Sequence, residues 1–180
     1  RNGTTLSRRV DGLIVSARLS EASIHWLLHS GLPTVYYGGH TGHPDCFSVG
    51  CDNFGAALML GRHLRDLGHR RIAYVGFCGA RWSGDRHAGL VQAFDGSGAQ
   101  LRLHDVQAPI PEEGERMASS VLLRSEPPDA VVAYNDLIAL GLMSQAQTLG
   151  MDVPGDVSIA GFDNIVYSRY AGPGLTTVDL

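Results

Sequence analysis

Residues 127–164, PPDAVVAYNDLIALGLMSQAQTLGMDVPGDVSIAGFDN, constrain the fold more than any other part of the chain. The apolar run Asp129–Tyr134 lies between Pro127-Pro128 and Asn135-Asp136, which gives it the length and borders of a buried strand. From Leu137 to Leu149 apolar residues cover more than one helical face, and Gly150 stands where a C-terminal cap belongs, so a buried helix follows. A second strand, Val157–Gly161, comes after the Pro154-Gly155-Asp156 turn and stops at Phe162-Asp163-Asn164. Strand, helix and strand in so short a length give a right-handed crossover between parallel strands. In open parallel sheets ligands bind beyond the carboxyl ends of the strands, where loops and helix N-termini leave backbone donors unpaired. Asn135, Asp136 and Asp163 all fall at that edge. Asp136, just before the helix, is assigned as its N-cap. Asn135 and Asp163 have no such duty and are assigned to a ligand.

The rest of the chain repeats the β-then-α order. Val10–Ser16 reads as a strand, Ser20 caps a helix over Ala22–His29, and Pro33–Tyr37 and Phe47–Gly50 read as two further strands. Asn53 is placed to cap a helix whose apolar positions Ala57, Leu60, Leu64 and Leu67 recur at helical spacing until Gly68. Beyond it come a strand at Ile72–Val75, a loop over Gly76–Gly84 that holds Trp82, and a helix over Asp85–Phe94. A strand at Leu101–Val106 and a helix over Glu112–Arg124 lead into the central unit. This order predicts a doubly wound α/β fold, with the chain passing between two lobes near Leu67–Arg71.

The net charge is −4, and Arg8-Arg9 and Arg70-Arg71 are the densest cationic sites, which argues against a nucleic-acid surface within these residues. Three cysteines, Cys46, Cys51 and Cys78, at no framework spacing fit a reducing compartment, so the expected location is the cytoplasm. No stretch approaches the roughly 20 apolar residues of a membrane helix.

The sequence holds no G-x-S-x-G elbow, no Walker loop and no G-x-G-x-x-G after a strand, so no catalytic residue is assigned. His40, His43, Cys46 and Cys51 are residue types that ligate zinc, yet they lie between two strands with Pro44 stiffening the run, and no metal is assigned. His69, after the helix-ending Gly68, reads as a donor to the preceding carbonyls. Arg86 falls in the first turn of its predicted helix, where the macrodipole disfavours a cation, so something else must favour it. It either pairs with a carboxylate, Asp85 or Asp163, or forks onto ligand oxygens, and the two readings are compatible. Trp82 can stack on a ligand ring or anchor its loop on the lobe.

Several of these segments occur together in one order: SRRVDGLIVSA at 7–17, VGCDN at 49–53, HLRDLGHRRIAYVG at 63–76, RHAGLVQAF at 86–94, PPDAVVAYNDLIALG at 127–141, VPGDVSIAGFDN at 153–164 and PGLTTVDL at 173–180. Together they resemble the effector-binding domain of the LacI/GalR family of bacterial transcription regulators. The resemblance implies an α/β fold of two Rossmann-like lobes with parallel sheets, of the periplasmic-binding-protein-like type I, holding a small ligand in the cleft. Residues 1–67 would form the first lobe, 68–172 the second, and 173–180 a crossover back toward the first. By matching position, Arg86 and Asp163 correspond to the family's ligand-contacting arginine and aspartate, and Asn135 to a frequent third contact. Trp82 holds a loop position that often touches ligand, and Phe54 lies near a further contact region in the other lobe.

The resemblance further implies a sensor rather than an enzyme, without cofactor. It would take a small polar effector, a sugar or sugar derivative, and act as a homodimer on operator DNA through a helix-turn-helix that these residues do not contain, with no membrane involved. Gly38-Gly39 stands where the family commonly shows an aspartate-arginine pair, and Pro109-Ile110 where it often shows an aromatic residue. The family pattern also has a strand, helix and strand before Ser7 and continues past Leu180, so the first lobe is expected to be incomplete. A periplasmic sugar-binding transport protein of the same fold is the alternative. A helix-turn-helix or a signal peptide in the full reading frame separates the two.

Overall fold

A computed structural model describes residues 10–16, 20–38, 47–77 and 81–180, with backbone alone at 81 and 82. The chain divides into two compact units, Arg1–Asp52 and Asn53–Leu180. The boundary expected at residue 67 therefore moves back, because the helix that starts at Asn53 packs with the second unit.

The first unit holds β1 (Leu13–Val15), α1 (Glu21–His29), β2 (Thr34–Tyr37) and β3 (Phe47–Val49). The three strands are parallel in the order β1-β2-β3, with Ile14, Val35 and Phe47 in register. Ser20 caps α1 as its position predicts, accepting from the Ser23 N–H at 3.2 Å.

The second unit runs α2 (Asn53–Asp66), β4 (Arg71–Gly76), α3 (Arg81–Phe94), β5 (Gln100–Asp105), α4 (Pro111–Leu122), β6 (Ala130–Ala133), α5 (Asp136–Thr148), β7 (Ser158–Phe162), a 3-10 turn at Val166–Arg169, and β8 (Thr176–Val178). Its five strands are parallel in the order β5-β4-β6-β7-β8. Residues 173–180, expected to cross back, supply the last of these strands.

Period-two alternation divides the core. Ile72 and Tyr74 of β4, Ala130 and Val132 of β6, and Ala160 and Phe162 of β7 face the layer of α2 and α3. Ala73, Val75, Val131, Ala133 and Ile159 face α4 and α5. Strands buried on both faces read as continuous apolar runs, which is why DAVVAY was legible as a strand. The helices of each layer meet at backbone contact: a Cβ at Gly141 would strike the Pro111 carbonyl, and one at Gly114 the Ile138 carbonyl.

At the amino end of the sheet Asp129 accepts from the backbone N–H groups of Arg70 and Arg71 at 3.0–3.1 Å. The His69 ring sits 3.3 Å from the same carboxylate. The ring's partner is thus an acid at the start of β6, while the His69 backbone N–H donates to the Leu64 carbonyl of the preceding helix at 3.1 Å.

Candidate functional site

The strand order places β4 between β5 and β6, so the chain leaves β4 to one side and returns on the other. Parallel sheets bind ligands at such a switch point, at the carboxyl ends of the strands. There β4 ends at Gly76, β6 runs into Tyr134, and β7 ends at Phe162.

Arg86 comes to this point from α3. That helix starts at Arg81, four residues earlier than expected, so Arg86 sits in the second turn and the macrodipole does not explain its placement. Tyr74 sets where α3 begins: its hydroxyl lies 3.2 Å from Ser83 Oγ, which in turn accepts from Phe77 N–H at 3.2 Å. Burial pushes the Tyr74 phenol up to about 12, which keeps it a neutral hydrogen-bonding group.

The Arg86 side chain is buried, at 4% exposure. A buried guanidinium is costly unless its donors find acceptors. Nε donates to Asn53 Oδ1 at 2.9 Å, and Nη1 donates to the Tyr134 carbonyl. The Tyr134 and Phe162 rings lie 4.8 and 4.4 Å from its central carbon, within cation–π range. Nη2 makes no hydrogen bond among the described residues. It faces Asp163 Oδ1 at 3.8 Å, close enough for ionic attraction and too far for a hydrogen bond. Two arms of the fork are locked, and the third points at a carboxylate whose side chain is 41% exposed.

Asp163 follows β7 with φ of 104°, and Asn164 with φ of 48°, two successive non-glycine residues in the left-handed region. Such backbone costs about 1–3 kcal/mol per residue and persists where the surroundings over-determine it. Here the Asp163 N–H donates to Val178 O at 2.9 Å and the Asn164 N–H to Thr177 Oγ1 at 3.2 Å. Burial raises the Asp163 pKa above the ordinary aspartate value, Arg86 opposes the rise, and Asp136 adds to it.

Asn135 takes the cap expected of Asp136, and Asp136 takes a structural role that neither residue was assigned. Asn135 is the N-cap of α5: its Oδ1 accepts from Ile138 N–H at 2.9 Å, and its Nδ2 donates to Pro109 O at 3.2 Å. One amide hydrogen and one oxygen lone pair are thereby used in holding the fold. Asp136 is the first helical residue and has no exposed surface. Its Oδ2 accepts from Ser168 Oγ at 2.6 Å and Ile165 N–H at 3.0 Å, and its Oδ1 from Thr177 Oγ1 at 2.6 Å. One carboxylate thus ties the start of α5 to the turn after Asp163 and to β8. Gly161 makes room for it, since a Cβ there would meet Asp136 Oδ1.

Arg86 and Asp163 are therefore brought together, and Asn135 stands beside them at the end of β6. Phe54, the second residue of α2, is 37% exposed and belongs to the second unit rather than to the other lobe. Trp82 lies in the first turn of α3 instead of a loop, and its side chain is outside the described residues. Of the candidate metal ligands His40, His43 and Cys46 are outside them too. Among the described residues no group of three His, Cys, Asp or Glu side chains is placed to hold a metal. Sequence reading missed Asn53, Tyr134 and Phe162 as the sheath of Arg86. Their signal was position alone, each at an element end next to a residue already singled out.

Three comparisons bear on this arrangement. A family profile for a periplasmic binding protein-like domain matches residues 62–180. The HTH-type transcriptional repressor PurR of Erwinia tasmaniensis is 36% identical over 177 residues, covering 95% of this chain and 52% of that protein. The chain thus spans about half the length of the curated relatives it matches. A LacI transcriptional regulator from a Rhodococcus species superposes with a TM-score of 0.89 at 29% identity, covering 98% of this chain and 67% of that one. A sugar-binding LacI-family regulator from Escherichia coli, complexed with phosphate, superposes with a TM-score of 0.84 at 26% identity, covering 98% and 65%. With its parallel-sheet units and these relatives, the chain belongs to the periplasmic binding protein-like domain family, in the branch found in LacI-family transcriptional regulators.

Proposed function

We propose that this chain is the ligand-sensing part of a LacI-type regulator and takes a small polar effector, a sugar or a related metabolite, at the carboxyl edge of the second sheet. The observation that carries this reading is the Arg86 fork, with two arms locked and the third 3.8 Å from the half-exposed Asp163 carboxylate. An oxygen seated between them accepts from the guanidinium while its own hydroxyl hydrogen donates to the carboxylate. A hydroxyl meets both demands, and adjacent hydroxyls of a sugar meet them in the same plane. The Tyr134 and Phe162 rings pin the guanidinium, so the donor is pre-organised before ligand arrives.

On this reading the protein is a switch and not an enzyme. The effector acts by differential affinity for two arrangements of the protein. The output is operator DNA, contacted through a helix-turn-helix outside these residues, in a cytoplasmic homodimer. No described helix is long and apolar enough to cross a membrane. The turn after β7 exposes Val166, Tyr167 and Tyr170 at 68%, 70% and 81%, apolar surface of the kind that self-association covers. The transport-carrier alternative is not taken up, because the relatives are named as transcriptional regulators.

Calorimetry against a panel of sugars and nucleosides tests the site. Binding of one member, lost in both Arg86→Ala and Asp163→Ala, is the expected result. Affinity unchanged in both variants refutes the assignment.

A further inference from the structure

The outer strand of the second sheet carries a feature that the effector site does not use. Register pairs Ala73 with Arg102 and Val75 with His104, so Arg102 and His104 of β5 lie on the α4/α5 face of the sheet. That face is apolar everywhere else in the core, with Ala73, Val75, Val131 and Ala133 on it. At the edge strand it instead presents a guanidinium and an imidazole. Arg71, Arg102, His104, Arg124 and Glu126 line a narrow cleft there beside Val121.

The cleft holds more positive charge than it neutralises. Arg102 Nη2 donates to Glu126 Oε2 at 3.2 Å, and Arg71 Nε donates to Pro127 O at 2.7 Å with its Nη2 3.7 Å from Asp129. Arg124, two residues past the end of α4, makes no ion pair among the described residues. Of the three guanidinium groups in the lining, Arg71 and Arg102 each have a carboxylate partner, and Arg124 carries the excess positive charge. Burial, then Arg124 and Arg102, holds the His104 imidazole below the ordinary histidine value, so it enters the cleft neutral with one ring N–H to donate.

We propose that this cleft is an anion site, distinct from the Arg86 site, that takes the terminal carboxylate or phosphate of a small metabolite. Its size favours a chain end: the half-open space admits one water-sized group, so a single oxygen enters while the others meet Arg102 and Arg124. The apolar lining from Ile72, Ala73 and Val121 lowers the local dielectric and strengthens each charge-assisted bond.

The test follows the His104 imidazole by NMR while inorganic phosphate, and separately acetate, is added at constant ionic strength. Saturable shifts of His104 and an upward move of its titration midpoint are expected, because a bound anion offsets Arg102 and Arg124. Arg124→Gln, an exposed substitution that leaves the core intact, should weaken binding about tenfold. Reading the shifts at His104, on the β5 edge, separates this site from the effector site at the end of β7. Saturation by phosphate alone assigns the site to phosphate ends, and saturation by both anions assigns it to oxyanions generally. Shifts that sodium chloride reproduces, or that persist undiminished in Arg124→Gln, overturn the proposal.

Discussion

Removing the Asp136 carboxylate is the substitution with the most direct structural reckoning. In Asp136→Ala three donors lose their acceptor: Ser168 Oγ–H, which is buried, and Thr177 Oγ1–H and Ile165 N–H, which are part-buried. Each buried donor left without a partner costs about 1–3 kcal/mol. The two hydroxyls can rotate toward other acceptors, but the Ile165 amide cannot, and recovery of the desolvation cost of the carboxylate offsets part of the loss. The net expectation is about 3–5 kcal/mol, the lower part of the summed cost of three such donors.

Asp136→Asn separates shape from charge. Its amide oxygen can hold Ile165 N–H and Ser168 Oγ–H, and its amide hydrogens can donate to Thr177 Oγ1, so the loss falls to about 1–2 kcal/mol. Urea unfolding followed by circular dichroism reads the difference. With a slope near 2 kcal/mol per molar urea, the midpoint of the second unit should fall by about 1.5–2.5 M in the alanine variant and by less than about 1 M in the asparagine variant. An alanine variant within about 0.5 kcal/mol of the parent, or an asparagine variant worse than alanine, refutes the reasoning.

Three further outcomes follow from the geometry. Because burial and Asp136 raise the folded-state pKa of Asp163, the folded protein binds more protons than the unfolded chain between the ordinary aspartate value and the raised one. Stability contributed by this group therefore falls as pH rises through that window, and Asp163→Asn should flatten that part of the pH–stability curve; a carboxyl titration at or below the ordinary aspartate value would contradict this. Gly141→Ala drives a Cβ into the Pro111 carbonyl, so overpacking of about 1–3 kcal/mol should exceed the gain in helix propensity of about 1 kcal/mol, and a raised melting temperature would show that α4 moves aside freely. If the 3-10 turn supports a homodimer, Tyr167→Asp should shift sedimentation toward monomer with an unchanged circular dichroism spectrum, whereas an unaltered dimer places the interface elsewhere.

What could be read without coordinates was periodic or local. Apolar runs bounded by Pro, Gly, Asn and Asp located the strands, and quoted segments in one order pointed to the family. Residue spacing also brought Asp163 and Asn135 to a strand edge, because a parallel sheet leaves little choice about where its strands end. Boundaries were harder. Helix α3 begins at Arg81, and its first turn is held by Tyr74 through Ser83, a contact that no local pattern displays.

The layers follow from local pattern, since alternation with period two and recurrence near every fourth residue are properties of neighbouring positions. Tertiary structure alone decided the site. Arg86 meets Asn53 across 33 positions and Tyr134 across 48, and Asp136 meets Thr177 across 41. Which of two adjacent residues, Asn135 or Asp136, caps α5 was likewise settled by who else needed an acceptor. A buried polar group takes the partner that packing brings to it, and packing brings together residues that no stretch of sequence lists side by side.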